Sequence, residues 1–96
     1  APSRFPDSTR DIAILIPEEL AANKIVDCIR AEKIKEIEHV QIFDVYRGKG
    51  VPEGHKSIAV RIRYRSYERT LAEEEIISLH KKIISSLIGK LQVIIR

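Results

Sequence analysis

Several residue types are scarce in this sequence of 96 residues, and each shortage excludes a class of protein. A single cysteine, Cys28, excludes an internal disulfide bond and any cysteine-based zinc site. The histidines, His39, His55 and His80, lie too far apart in the sequence for a paired metal-ligand motif, so we expect no metal and no cofactor in this chain. No apolar run approaches the roughly 20 residues of a membrane-spanning helix, and no signal peptide is visible. These absences predict a cytoplasmic protein with no membrane partner.

The chain also lacks methionine, even at its first position, which favours a fragment of a longer protein. It has no tryptophan, three tyrosines and two phenylalanines, so its core must consist mainly of isoleucine, leucine and valine. The length suits a single domain. Residues 1–9 contain two prolines and are predicted to lead into a domain formed by residues 10–96. The net charge of +3 is too small to indicate a nucleic-acid partner without clustering of the cations.

Hydrophobic periodicity predicts six elements. Apolar and alternating patterns predict strands over residues 10–16, 37–46, 57–65 and 91–95. Apolar residues at helical spacing predict one helix that starts near Leu20 and a second that follows Thr70. With right-handed crossovers, the order β-α-β-β-α-β predicts a ferredoxin-like α+β sandwich, in which a four-stranded antiparallel sheet carries two helices on one face. The third strand is central, and the other face of the sheet is open.

Local signals refine three of these elements. Asn23 is the expected N-cap of the first helix, and Thr70 and Glu73 have the spacing of a capping box for the second. His80 falls inside the apolar stripe of the second helix, which predicts a core histidine bonded to a neighbour. The apolar residues of segment 37–46 change parity part-way, which predicts a β-bulge or a strand that twists near the sheet edge.

The stretch from Phe43 to Thr70 carries the clearest functional signal. It contains a long basic loop with three glycines, RGKGVPEGHK, and then a strand with arginine at every second place, SIAVRIRYR. Because strand side chains alternate between faces, Arg61, Arg63 and Arg65 are expected on the open face, turned toward solvent or toward a polyanion. Loops of this length in a compact domain are often functional.

Several catalytic patterns are missing. The segment Gly50–Ser57 has three residues between its glycines, whereas a P-loop has four, and it leads into a strand rather than a helix. Gly48-Lys49-Gly50 lacks the third glycine of a dinucleotide-binding motif. No serine–histidine–aspartate arrangement or carboxylate pair indicates catalysis. An RNA-recognition motif requires aromatic residues on its central strands, and arginines occupy such places here.

Several short motifs, in collinear order, resemble one known family. They are FDVYRG at residues 43–48, PEGHKS at residues 52–57, and ERTL at residues 68–71 with two glutamates shortly after it. Phe5-Pro6 and the RDIA run at residues 10–13 match the same family's opening. From about residue 4 onward, the chain resembles the ferredoxin-fold anticodon-binding domain at the C-terminal end of the phenylalanyl-tRNA synthetase β subunit.

The resemblance implies that the domain contacts the anticodon stem-loop of phenylalanine tRNA (tRNA-Phe). The family's contacts to the first anticodon base fall on Asp44, Tyr46, Ser57 and Ala13. Physical chemistry supports two of these roles independently. A carboxylate accepts hydrogen bonds from the N–H donors on the Watson–Crick edge of guanine, and a tyrosine ring provides a stacking surface worth about 1–3 kcal/mol per base.

Five cations are expected to contact RNA phosphates, which fix position more than sequence: Arg47, Lys49, Lys56, Arg61 and Arg63. Arg69 is expected either to join them or to brace the start of the second helix. The C-terminal run LQVIIR departs from the family's pattern, so the resemblance assigns no contact to Arg96.

The resemblance also implies a parent enzyme, phenylalanine–tRNA ligase, whose other domains use ATP and Mg²⁺ while this domain is non-catalytic. The expected partners are tRNA-Phe, the remaining domains of the β subunit, and the α subunit. Two alternatives stay open. The domain is a structural or docking module that packs the same basic face on an acidic neighbour, or a free-standing nucleotide- or metabolite-sensing domain of the same topology.

Overall fold

A computed structural model describes residues 5–96 as four strands and two helices. In chain order these are β1 (Ser8–Pro17), α1 (Asn23–Ala31), β2 (Ile37–Tyr46), β3 (His55–Tyr64), α2 (Glu73–Lys90) and β4 (Ile94–Ile95). β2 has the predicted bounds. β1 begins at Ser8, inside the predicted lead-in segment, and the division of the chain at residues 9 and 10 stays a prediction. Within the described residues, neither helix combines the length and apolarity needed to cross a bilayer.

The strands form one antiparallel sheet in the order β2-β3-β1-β4. Because α1 joins β1 to β2 and α2 joins β3 to β4, this order is that of the predicted ferredoxin-like fold, which is confirmed. β3 is central, as predicted. β4 is only two residues long, shorter than predicted, because α2 continues to Lys90 and the chain reaches the sheet edge only at Ile94.

Side-chain alternation gives the sheet two different faces. One face is buried against both helices through Ile12, Ile14, Ile16, Ile58, Val60, Ile62 and Tyr64 of the central strands, with Ile25, Ile29, Ile76, Ile83 and Leu87 of the helices. Each fully buried isoleucine or leucine stabilises the fold by about 1.5–3 kcal/mol. The intervening residues of β1 and β3 project from the other side, called the open face below. The core therefore holds the open face as a fixed surface.

One polar pair lies at the margin of this core. The hydroxyl of Tyr64 is 3.0 Å from Nδ1 of His80, and the two rings meet edge to face. Burial raises the pKa of Tyr64 to about 12 and lowers the pKa of His80 below its ordinary value. Both side chains are therefore neutral at neutral pH, and they share one hydrogen bond. The prediction that His80 bonds to a neighbour is confirmed.

The predicted cap of α1 is wrong. Ala22 is the N-cap, and it makes no side-chain capping bond. Asn23 lies inside the first turn, where its Nδ2 donates to Asp27 Oδ1 at 3.5 Å. The helix starts without a polar cap because burial of Ile25 and Ile29 stabilises it more than a cap, which contributes about 1 kcal/mol.

The predicted capping box of α2 is also wrong, by two residues. The N-cap is Ala72, whose N–H donates to Glu75 Oε1 at 3.0 Å, so Glu75 has the role predicted for Glu73. Ala72 is extended and Leu71 before it is buried, so packing of Leu71 delays the helix start. Arg69 donates to both carboxylate oxygens of Glu75 at 2.5 Å, and therefore braces the start of the helix.

We expect Glu75→Gln to lower the free energy of unfolding at neutral pH and to lose this effect in acid. The hydrogen bonds from Arg69 and then from the Ala72 N–H lower the pKa of Glu75 from 4.5 to about 2. The ionised carboxylate therefore contributes its full stabilisation above pH 4.5, and that contribution falls as the pH drops toward 2.

Urea denaturation at a series of pH values between about 3 and about 6 measures this difference. Glu74→Gln, an exposed neighbour on the same turn, is the matched control. A stability difference between wild type and Glu75→Gln that stays constant over this range would contradict the prediction.

Candidate nucleic-acid interface

The open face is organised in rows that run across the strands. In β2 and β3, Tyr46 lies opposite Ser57 and Asp44 lies opposite Ala59; in β1, Ala13 lies on the other side of Ala59. Neighbouring strands are about 4.8 Å apart, and alternate residues of one strand are about 6.8 Å apart. All four residues predicted to contact the first anticodon base therefore lie in two adjacent rows of one face.

A bulge in β2 produces this arrangement. The register shifts between Ile42 and Asp44, where Phe43 is the additional residue, so the predicted bulge is confirmed. Without it, strict alternation would place Asp44 and Tyr46 on the same side as Ile42, facing the helices. Phe43 contributes to the open face, because its ring centroid lies 4.3 Å from Cζ of Arg61.

Asp44 and Tyr46 present complementary groups. Asp44 is exposed, and its carboxylate makes no ion pair or hydrogen bond with any residue that the structure describes. Tyr46 is 44% exposed, and its hydroxyl donates to the carbonyl of Lys49 at 2.9 Å. Gly48 permits this turn because its φ is +125°, a conformation that other residues rarely adopt. The site thus offers an unpaired acceptor beside a ring of fixed orientation.

Arg96 covers Ser57, a contact that was not predicted from the sequence. Its Nη1 donates to Ser57 Oγ at 3.1 Å and its Nη2 to the carbonyl of Gly50 at 3.3 Å. Its backbone N–H donates to the carbonyl of Ala13 at 2.8 Å, which places it at the end of β4. Ser57 is consequently only 9% exposed. The sequence contained one signal for this contact. Arg96 follows exposed Ile94 by two residues, so strand alternation places both side chains on the same side of the sheet.

Lys56 does not join the other predicted phosphate contacts. β3 begins at His55, so Lys56 lies within the strand, paired with Ile16 and sharing the parity of buried Ile58. It is 7% exposed, and its ammonium donates to the carbonyl of Glu18 at 3.0 Å. An ammonium held this way is not available to a phosphate on the open face, so the expectation for Lys56 is corrected.

The remaining predicted arginines are present at the open face or its rim, but each has a carboxylate partner. Arg61 donates from Nε and Nη2 to the two oxygens of Asp11 at 2.9 and 3.1 Å. Arg47 makes a similar fork with Glu18, with Nε 2.9 Å from one oxygen and Nη2 2.7 Å from the other. Weaker contacts join Arg63 to Asp7 at 3.5 Å and to Glu38 at 3.6 Å.

These forks affect the titration of the acids. The hydrogen bond from Arg61 lowers the pKa of Asp11, and the hydrogen bond from Arg47 lowers the pKa of Glu18. Both carboxylates are therefore ionised at neutral pH. The ammonium of Lys49, by contrast, has no acidic partner within residues 5–96. The basic strand predicted from the sequence is thus a surface of paired charges.

Comparison with known proteins identifies the family. Residues 3–96 match the family model of the ferredoxin-fold anticodon-binding domain. The chain belongs to this family. The anticodon-binding domain is 58% identical over 95 residues to the phenylalanine–tRNA ligase β subunit of Geobacter metallireducens and 56% identical to that of Geobacter sulfurreducens, in both cases over 99% of this chain and 12% of the relative. The β subunit of Syntrophotalea carbinolica is 49% identical over 94 residues, with 98% of this chain and 12% of that protein covered.

The predicted resemblance is therefore confirmed, and the domain spans about one eighth of the length of these relatives, 12% in each case. Across the part of the chain that the structure describes, no group of three or more histidine, cysteine, aspartate or glutamate side chains is placed to hold a metal ion.

We expect Arg96→Ala to loosen the glycine loop while leaving the core intact. Arg96 is the side chain that joins this loop to the sheet at Gly50. Loss of a hydrogen bond worth about 1 kcal/mol should accelerate amide hydrogen exchange in residues 48–54 by about fivefold. The melting temperature should change little. Lys90→Ala, which removes a cation near the same end of the chain but on the helical side, is the control. Equal exchange rates in the loop of Arg96→Ala and wild type would contradict this role.

Proposed function

We propose that this domain binds the anticodon stem-loop of tRNA-Phe through its open face, as part of a phenylalanine–tRNA ligase. Family membership and the identity of the relatives as phenylalanine–tRNA ligase β subunits support this assignment. One observation carries it further: the exposed and unpaired carboxylate of Asp44 lies beside the ring of Tyr46 on the face that also holds Ser57 and Ala13.

In this proposal Asp44 reads the base. Guanine presents two adjacent N–H donors on its Watson–Crick edge, and the two oxygens of a carboxylate accept both. Adenine presents an acceptor at one of these positions, which the carboxylate repels. Tyr46 stacks on the unpaired base, as aromatic side chains do in single-stranded RNA recognition. Ala13 leaves space for the base because its side chain is small. The Ser57 hydroxyl is bonded to the Arg96 guanidinium, so it contacts the base either while keeping that bond or after Arg96 moves away.

The cations of the same face position the RNA. Arg47, Lys49, Arg61 and Arg63 contact phosphates, which contributes affinity without selecting a sequence. Lys56 is left out because its ammonium is bonded to the carbonyl of Glu18. Lys49 contributes most readily, since no acid competes for it among the described residues.

The wider assignment follows the relatives. A parent ligase uses ATP and Mg²⁺ at a catalytic site in other domains, and it operates in the cytoplasm, where tRNA is charged. Its partners are tRNA-Phe, the remainder of the β subunit and the α subunit. This domain contributes binding, with no catalytic residue of its own.

We expect Asp44→Asn to lose discrimination at the first anticodon base. Wild type should bind an anticodon stem-loop with guanine first more tightly than an otherwise identical stem-loop with adenine first. Hydrogen bonds to a charged group contribute about 1.5–3 kcal/mol, so the preference lost should be about tenfold or more. Fluorescence titration at two salt concentrations measures both affinities.

Asp27→Asn removes the same charge from an exposed position on α1 and is the control for this substitution. If Asp44→Asn kept the full preference for guanine, the assignment of Asp44 as the base-reading residue would be wrong. A preference that persists as salt weakens both complexes indicates base contacts rather than phosphate contacts.

We expect Arg61→Glu to abolish detectable stem-loop binding, because it removes a phosphate contact and adds a second acid beside Asp11. Lys82→Glu makes the same change in net charge on α2, away from the open face, and should bind as wild type does. Circular dichroism checks that both variants fold. Weak binding that Arg61→Glu leaves unchanged would instead favour a docking module that uses this face against a protein.

A further inference from the structure

We infer that Asp11 and Glu18 are specificity-determining residues, because each holds an arginine of the open face in a carboxylate fork and so limits binding to RNA of any sequence. This inference rests on the proposed function and adds to it. Two acids on a surface that the sequence predicts to be basic would weaken binding to RNA of any sequence.

The two forks share one geometry. In each, the arginine donates from Nε and from Nη2 to the two oxygens of one carboxylate, at distances between 2.7 and 3.1 Å. Both pairs are accessible: the side chains of Arg61 and Asp11 are 47% and 49% exposed, and those of Arg47 and Glu18 are 56% and 44% exposed. The forks are therefore well formed in places that an RNA backbone is able to reach.

A carboxylate in this position competes directly with phosphate. The Nε–Nη2 edge of a guanidinium is one that matches the two oxygens of a phosphate in bidentate recognition. While Asp11 occupies that edge of Arg61, a phosphate must displace the acid or bind elsewhere on the guanidinium beside a negative charge. Arg61 is further restrained on its flat face by the ring of Phe43.

Glu18 holds the glycine loop as well as Arg47. Its backbone N–H donates to the carbonyl of Gly54 at 2.8 Å, and its carbonyl accepts from Lys56 at 3.0 Å. The residue therefore contacts the loop at both of its ends, once through the side chain of Arg47 and once through the backbone of Gly54. Its position is fixed by the fold rather than by the ion pair alone.

The distribution of paired and unpaired charges supports the inference. Asp44, at the centre of the proposed base site, has no cationic partner among the described residues. Arg96, which lies over Ser57, donates only to neutral oxygens. Arg61 on the same face and Arg47 at its rim each have an acid. The acid at the proposed base site is thus unpaired, whereas two of the arginines expected to contact phosphate are held by acids; Lys49 keeps an unpaired ammonium.

Stability does not account for the forks. Ion pairs between side chains this exposed contribute little to folding, since solvent screens the attraction and both side chains lose conformational freedom. Their effect on a polyanion is larger, because each unpaired cation that contacts a phosphate releases a counterion and increases affinity for every RNA sequence.

The test measures three affinities for each variant at two salt concentrations: for the guanine-first stem-loop, for the adenine-first stem-loop, and for an oligouridylate that contains no anticodon. Asp11→Asn and Glu18→Gln each remove one acid with little change in shape. Asp27→Asn and Glu74→Gln remove the same charges from the helical side and are the matched controls.

We expect Asp11→Asn and Glu18→Gln each to increase affinity for oligouridylate by about fivefold over their controls. The slope of the logarithm of the binding constant against the logarithm of the salt concentration should become steeper by about 0.7 for each released arginine. Affinity for the guanine-first stem-loop should change by less than about twofold, since the released arginine loses its fixed orientation while the net positive charge of the face increases. The ratio of specific to non-specific binding therefore falls.

Oligouridylate affinities equal to those of the matched controls would overturn the inference. The two substitutions act on different arginines, so each tests it independently if the other fails to fold. A wild-type domain without preference for guanine would refute the base-reading part of the proposed function, and the oligouridylate measurement would still decide whether the forks suppress polyanion binding.

Discussion

Isoleucine packing on one side of β1 and β3 fixes the pleat of both strands, and the other features of the domain depend on it. Ile12 and Ile14 pair in register with Val60 and Ile58 of β3, and all four are buried beneath the two helices. A shift of either strand by one residue would transfer this whole set into water. The residues between them on β1 and β3 are therefore fixed on the open face, and each polar side chain there keeps the same neighbours on the adjacent strand.

β2 departs from this rule at two register shifts, and the one at Phe43 orients the residues of the proposed base site. Before it, Val40 and Ile42 follow the core; after it, Asp44 and Tyr46 turn to the open face. One additional residue thus reverses the orientation of the rest of the strand. It also brings Phe43 under Arg61, so that an aromatic ring and a guanidinium plane are in contact on the same face as the unpaired carboxylate. The base-reading site proposed for this domain exists because of that reversal.

Electrostatic pairing gives the open face a character that its composition conceals. Counted along the sequence, the glycine loop and β3 are rich in cations. In the folded chain, acids from β1 and the turn after it approach the arginines from the neighbouring strand, and the net field outside the face is weaker than the arginine count indicates. Binding that depends on such a surface relies more on directed hydrogen bonds and stacking than on general attraction to phosphate, in agreement with the anticodon recognition proposed above.

The sequence alone determined the fold class, the family, the bounds of β2, the bulge and the facing of β3, because these follow from the two-residue repeat and from short collinear motifs. Tertiary structure decided which side chains meet. Asp11 and Arg61 are 50 residues apart in the chain, Ser57 and Arg96 are 39 apart, and Glu18 and Arg47 are 29 apart. No local pattern encodes such pairs, since they form only when strand register and loop path are set. Lys56 illustrates the same limit: starting β3 two residues earlier than predicted moved a loop cation into the strand, and a backbone carbonyl from another part of the chain then bound its ammonium.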